Sequence, residues 1–148
     1  MLDQLNQLVA HLHEIAWQFG PRGLNGECCG DLSMPEFRAL KMVDANSACA
    51  VQDIGFALDF TKSGATRVID RLEKKGYVLR ERSENDGRIV YVKITPKGKD
   101  VLKRIDEEFR QKLQQLIAEM DPIVANALPN VLSHLVKTLR REFFIANG

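Results

Sequence analysis

The chain has 148 residues, 45% of them hydrophobic, which is enough to bury one real core and points to a single compact domain or a dimerised one. A net charge of +1 gives no whole-chain argument for a polyanionic partner, and three cysteines without framework spacing argue against a disulfide scaffold. No apolar run approaches membrane-spanning length and Asp3 stands where a signal peptide would carry a basic flank, so a cytoplasmic setting without a membrane partner is expected.

In chain order, Leu2, Leu5, Val9, Leu12, Ala16 and Phe19 step by three and four, the stripe of one helix that ends near Gly20-Pro21. A glycine-rich loop with Cys28 and Cys29 is expected next. Ser33-Met34-Pro35-Glu36 has capping-box spacing, and Phe37, Leu40 and Val43 continue a helix from it. Val51, Ile54 and Leu58 mark a short helix, and Ala65, Val68, Ile69 and Leu72 mark another, with Thr61 as N-cap and Gly76 as its C-terminal stop. Residues 78–83 and 89–94 read as strands joined by a tight Asp86-Gly87 turn. Thr95-Pro96 opens a long helix, and Asp121-Pro122 restarts the chain into a last one.

The fold class expected is mainly α with a small β-hairpin wing. A winged helix-turn-helix occupies 33–95, flanked by dimerisation helices at 1–20 and 100–148, all within one domain of 148 residues. The outer helices have wide apolar faces, whose expected use is pairing with each other and with a second copy of the chain.

The charge is unevenly placed. From Thr61 to Lys99 there are eleven Lys/Arg and five Asp/Glu, a net of +6, so the remainder carries −5. On the wheel of 61–75, the face opposite the apolar stripe opens with Thr61, Lys62, Ser63, Thr66 and Arg67, and no acid precedes Asp70. A solvated helix normally places acids in its first turn to suit the dipole. A basic first turn instead invites an external anion, and hydroxyls beside Lys and Arg suit phosphates and base edges in a major groove. Beside such a helix, the hairpin places Arg88 where it can enter a minor groove.

The stretch TKSGATRVIDRLEKKGYVLRERSENDGRIVYVKITPKG resembles the core of the MarR family of winged-helix transcription regulators. The resemblance extends to SMPEFRALKMV upstream and to the flanking helices. It implies a homodimer that acts as a repressor on a pseudo-palindromic operator in double-stranded DNA, relieved by a small-molecule effector and needing no cofactor. It implies that Lys62, Ser63, Thr66 and Arg67 face DNA, that Asp86 braces the wing and that Arg88 enters the minor groove. Three positions depart from the family pattern: Ala50 where a capping Thr or Ser is usual, Gly64 inside the recognition helix, and Gly87 in the wing.

An enzyme is not expected, since His11 and His13 point to different sides of a helix, His134 stands alone, and no phosphate loop or nucleophile constellation is present. A winged helix that only scaffolds protein partners would not need the basic first turn. Trp17 and Phe19 are candidates to line an effector pocket, although packing is the stronger alternative for both. Cys28 and Cys29, with Cys49 as a third thiolate, form a candidate redox or metal sensor, against which incidental cysteines weigh more heavily.

Overall fold

Ser33 organises the first well-packed helix. Its hydroxyl accepts the Glu36 N–H at 3.4 Å while the Glu36 carboxylate accepts the Ser33 N–H at 2.8 Å, the reciprocal box expected from the sequence. The computed structural model describes residues 1–20 and 27–146. The elements are α1 (Leu2–Phe19), β1 (Glu27–Cys29), β2 (Leu32–Ser33), α2 (Met34–Ala45), β3 (Cys49–Ala50), α3 (Val51–Ala57), α4 (Lys62–Lys74), β4 (Val78–Arg82), β5 (Val90–Ile94), α5 (Pro96–Glu119) and α6 (Pro122–Ala146). This is a mainly helical winged-helix fold with N- and C-terminal helices and a small antiparallel wing sheet. Among the described residues no helix is long and apolar enough to cross a membrane.

The chain forms two compact units, Met1–Asp106 and Glu107–Gly148. In the first, Leu40 of α2, Ile54 of α3, Ile69 and Leu72 of α4, Val92 of β5 and Ile105 of α5 are buried to 1% exposure or less. Leu102 and Ile105 fall within the 100–148 segment expected to dimerise, yet they belong to this core. Helix α1 buries none of its residues within the chain. The second unit holds the rest of α5 and α6, on which Ile123, Val131, Leu135 and Leu139 are exposed.

Two local expectations are corrected, and the sheet gains a strand that no local signal announces. The Asp86-Gly87 pair does not make a two-residue turn: the strands end at Arg82 and resume at Val90. Gly87 lacks the left-handed φ that such a turn requires. Ser83 shapes the longer loop, its hydroxyl accepting the N–H groups of Asn85 and Asp86 at 3.3 Å and its own N–H reaching the Ile89 carbonyl at 2.9 Å. Next, Cys28 and Cys29 lie on a strand rather than in a free loop, since β1 pairs antiparallel with β2 in the registers Glu27–Ser33 and Cys29–Leu32. The rest of the expected loop, 21–26, lies outside the described residues. Finally, Cys49 and Ala50 form a third strand against Val92 and Tyr91, giving the sheet order β3-β5-β4.

Candidate nucleic-acid interface

The turn between α3 and α4 is tight because two small residues meet in it. A Cβ on Gly55 would stand 3.3 Å from the Ala65 Cβ and 3.4 Å from the Phe60 carbonyl oxygen, so the helices approach there as closely as a glycine allows. Asp59 takes the left-handed conformation, φ 54°, that turns the chain, a role a short polar side chain tolerates. Ala50 offers no capping hydroxyl to α3, but its N–H is held by Asp53 Oδ2 at 3.0 Å, half of a capping box.

Helix α4 starts as its sequence implies. Thr61 Oγ1 accepts the Gly64 N–H at 3.1 Å and lies 3.1 Å from the Ser63 hydroxyl. A Cβ on Gly64 would press to 3.2 Å from that capping oxygen, a reason for glycine there that propensity alone does not supply. Ala65, Val68, Ile69 and Leu72 are buried, while Thr61, Lys62, Ser63 and Arg67 are exposed on the first two turns. Thr66 is half-buried and its hydroxyl donates to the Lys62 carbonyl at 2.8 Å, so it faces outward as an acceptor. The first turn holds no acid, and among the described residues no carboxylate pairs with Lys62 or Arg67. Gly76, φ 79°, ends the helix, with the Tyr77 N–H on the Leu72 carbonyl and its own N–H on that of Glu73, both at 2.9 Å.

Asp86 and Arg88 sit together on the exposed wing loop. Asp86 Oδ1 accepts the Arg88 N–H at 3.0 Å and its carbonyl accepts the Ile89 N–H at 3.0 Å, so the aspartate braces the backbone that carries the arginine. Among the described residues the Arg88 guanidinium has no carboxylate partner. Lys93, by contrast, is tied across the hairpin to Glu81.

Sequence reasoning missed two features that hold this surface. Arg80 of β4 pairs with Asp70 at 2.6 Å and with Glu73, both on α4. Burial alone would lower its pKa, but the hydrogen bonds to Asp70 and Glu73 outweigh that and raise it. The second is a part-buried knot at the end of α4: Lys75 Nζ donates to Glu36 at 2.8 Å and to the Asp31 carbonyl at 2.5 Å, and the Tyr77 hydroxyl donates to Asp31 Oδ1 at 2.9 Å. Desolvation, then the bond to Asp31, pushes the Tyr77 pKa up. An arginine two residues from the core-facing Val78, with acids at 70 and 73 spaced one helical turn apart, was the available sequence signal for the first.

Of the sensor candidates, Cys49 is 1% exposed, and burial followed by the Asp53 charge pushes its thiol pKa up, which disfavours the thiolate that ligation and oxidation need. The side chains of Cys28 and Cys29 lie outside the described residues.

The MarR family pattern matches residues 32–90. The HTH-type transcriptional regulator YfiV of Bacillus subtilis is 32% identical over 109 residues, 74% of this chain and 68% of that protein. The transcriptional repressor MprA of Escherichia coli K12 is 28% identical over 105 residues, 70% of this chain but only 60% of its own length. The crystal structure of Streptococcus pneumoniae FabT in complex with DNA superposes with a TM-score of 0.73 at 20% identity, covering 95% of this chain and 99% of that one.

Proposed function

Since the chain belongs to the MarR family, we propose that it is a repressor which binds a pseudo-palindromic operator as a homodimer and is released by a small effector. Membership makes it a DNA-binding transcriptional regulator of the winged helix-turn-helix type and not an enzyme. The observation that carries the finer reading is the exposed, acid-free start of α4. Lys62, Ser63 and Arg67 stand there without carboxylate partners around a helix N-terminus whose free N–H groups favour an anion. In this reading Thr61, Lys62 and Ser63 take phosphates, Arg67 reads a base edge beside the Thr66 hydroxyl, which is left to accept from a base amino group, and Arg88, on a loop braced by Asp86, reaches the minor groove.

Support for the homodimer comes from apolar surface that a single chain leaves uncovered. On α1, Leu2, Leu5, Leu8 and Leu12 are each more than half exposed, and Val131 and Leu139 of α6 are 59% and 50% exposed. Contiguous apolar faces of this kind mark interaction surfaces. MprA is a repressor and the FabT structure holds DNA, which supports operator binding here. The effector half of the reading rests on family membership, and a cytoplasmic setting goes with it. The test is selection of bound duplexes from genomic DNA, followed by titration at two salt concentrations. The reading expects an enriched inverted repeat with half-sites about one helical turn apart, and affinity that falls steeply with salt.

A further inference from the structure

Arg80 stands at the root of the wing. It lies mid-way along β4, in phase with the buried Val78, and turns back onto α4. One guanidinium nitrogen donates to Asp70 Oδ1 at 2.6 Å, the other pairs with Glu73 Oε2, and the Arg80 backbone N–H donates to Glu73 Oε1 at 3.3 Å. Asp70 and Glu73 are three residues apart on one helix, so the rigid fork of a single arginine reaches both. In the sheet order β3-β5-β4, β4 is the outer strand, and Glu73 occupies an edge donor that no strand partners. On the other side, among the described residues, the sheet is extended by the two-residue strand β3. The ion pairs of Arg80 therefore join the outer edge of the wing to the helix that presents Lys62 and Arg67.

We propose that Arg80 is a positioning residue for DNA binding: clamped to Asp70 and Glu73, it sets the pose of the wing against α4, so that Arg67 and Arg88 engage one duplex in a fixed register. The proposal rests on the reading of α4 and the wing as DNA-contacting elements. At about 3.3 Å per strand residue the wing tip lies on the order of 15 Å beyond Arg80, so a rotation of about 10° at the root displaces Arg88 by about 2–3 Å. Hydrogen-bond geometry tolerates only a few tenths of an ångström. A wing hinged without its clamp keeps Arg88 but places it poorly. Arg67, carried by the helix itself, keeps its place.

The test is a double-mutant cycle, read as affinity for a duplex that the unmodified protein has enriched from genomic DNA. Arg88→Ala is expected to weaken binding about tenfold in the unmodified chain but less than about threefold in Arg80→Met, whereas Arg67→Ala costs the same in both backgrounds. The variant Asp70→Asn/Glu73→Gln opens the clamp from the helix side with Arg80 in place, and the same loss of coupling to Arg88 is expected. It keeps the test valid if Arg80→Met folds poorly. A purely structural defect would weaken the Arg67 and Arg88 contributions alike, and that result overturns the proposal. Full additivity of Arg80→Met with Arg88→Ala also overturns it, while leaving the wing as a DNA contact. If Arg88→Ala has no effect in the unmodified chain, the wing does not touch DNA and both readings fall.

Discussion

Lys75, just past the end of α4, reaches the carboxylate of Glu36 on α2 at 2.8 Å, and Glu36 is only 3% exposed. The pair joins α2 to the C-terminal end of α4, and both partners make further bonds: Glu36 Oε2 also accepts the Ser33 N–H, and Lys75 also donates to the Asp31 carbonyl. Lys75→Met would strand a buried carboxylate, at a cost of about 3 kcal/mol. Adding Glu36→Gln should recover most of that loss, because the uncompensated charge is then gone. Urea denaturation of the two variants, with unchanged slope against denaturant, checks both statements.

Gly98 marks the place where α5 begins under the wing sheet. A Cβ there would meet the Tyr77 carbonyl oxygen at 2.2 Å and Ile94 Cγ1 at 2.8 Å, while Thr95 Oγ1 holds the Gly98 N–H at 3.1 Å. Backbone cannot give way as a side chain does, so Gly98→Ala should destabilise by about 3 kcal/mol, the upper end for overpacking. Gly87 has nothing within 4 Å of a Cβ and no left-handed φ, so Gly87→Ala should be neutral or slightly stabilising. Melting temperatures of the two variants should part accordingly.

Cys49 should stay silent toward thiol reagents until the protein unfolds. Burial first, then the nearby Asp53 charge, raises its pKa above the ordinary thiol value, so the fold favours the protonated thiol. That contribution to stability is fully present below the ordinary thiol value and is lost as pH rises through the higher folded value. Maleimide should therefore label Cys49 at pH 7 only in denaturant. Cys49→Ala should show a shallower loss of stability than the unmodified chain as pH rises past the ordinary thiol value.

Leu135 and Leu139, 42% and 50% exposed in the single chain, should be covered in a dimer. Light scattering at micromolar concentration should give twice the chain mass. Leu135→Asp or Leu139→Asp would bury an unpaired charge at that surface, at a cost of several kcal/mol, and should shift the mass toward the monomer. A monomeric mass for the unmodified protein would contradict the dimer.

Much of the fold was legible because its signals are local. The Ser33–Glu36 box, the Thr61 cap, the Gly76 stop and the Ala65–Leu72 stripe each lie within a few residues of the chain, and each stands where the sequence placed it. The basic, acid-free first turn of α4 was equally readable. The missed features depend on partners distant in sequence. Strand β3 is two residues long, too short to show a period, and exists because Val92 and Tyr91 pair with it. The Arg80 clamp joins residues ten and seven apart across a turn, and Lys75 finds Glu36 across 39 positions. The wing loop misled because Asp-Gly favours a two-residue turn, whereas Ser83 closes a longer one through its side chain.

The division of labour proposed for this surface has α4 reading sequence while the wing anchors. It is tested most directly by determining the binding-site preference and salt dependence of Arg67→Ala and Arg88→Ala beside the unmodified protein. Arg67→Ala should lose about 1–3 kcal/mol of discrimination at one symmetric pair of positions. Arg88→Ala should keep the preferred sequence, bind it more weakly and show a salt slope smaller by about one. Unchanged preference, affinity and salt slope in both variants would contradict the assignment of this surface to DNA.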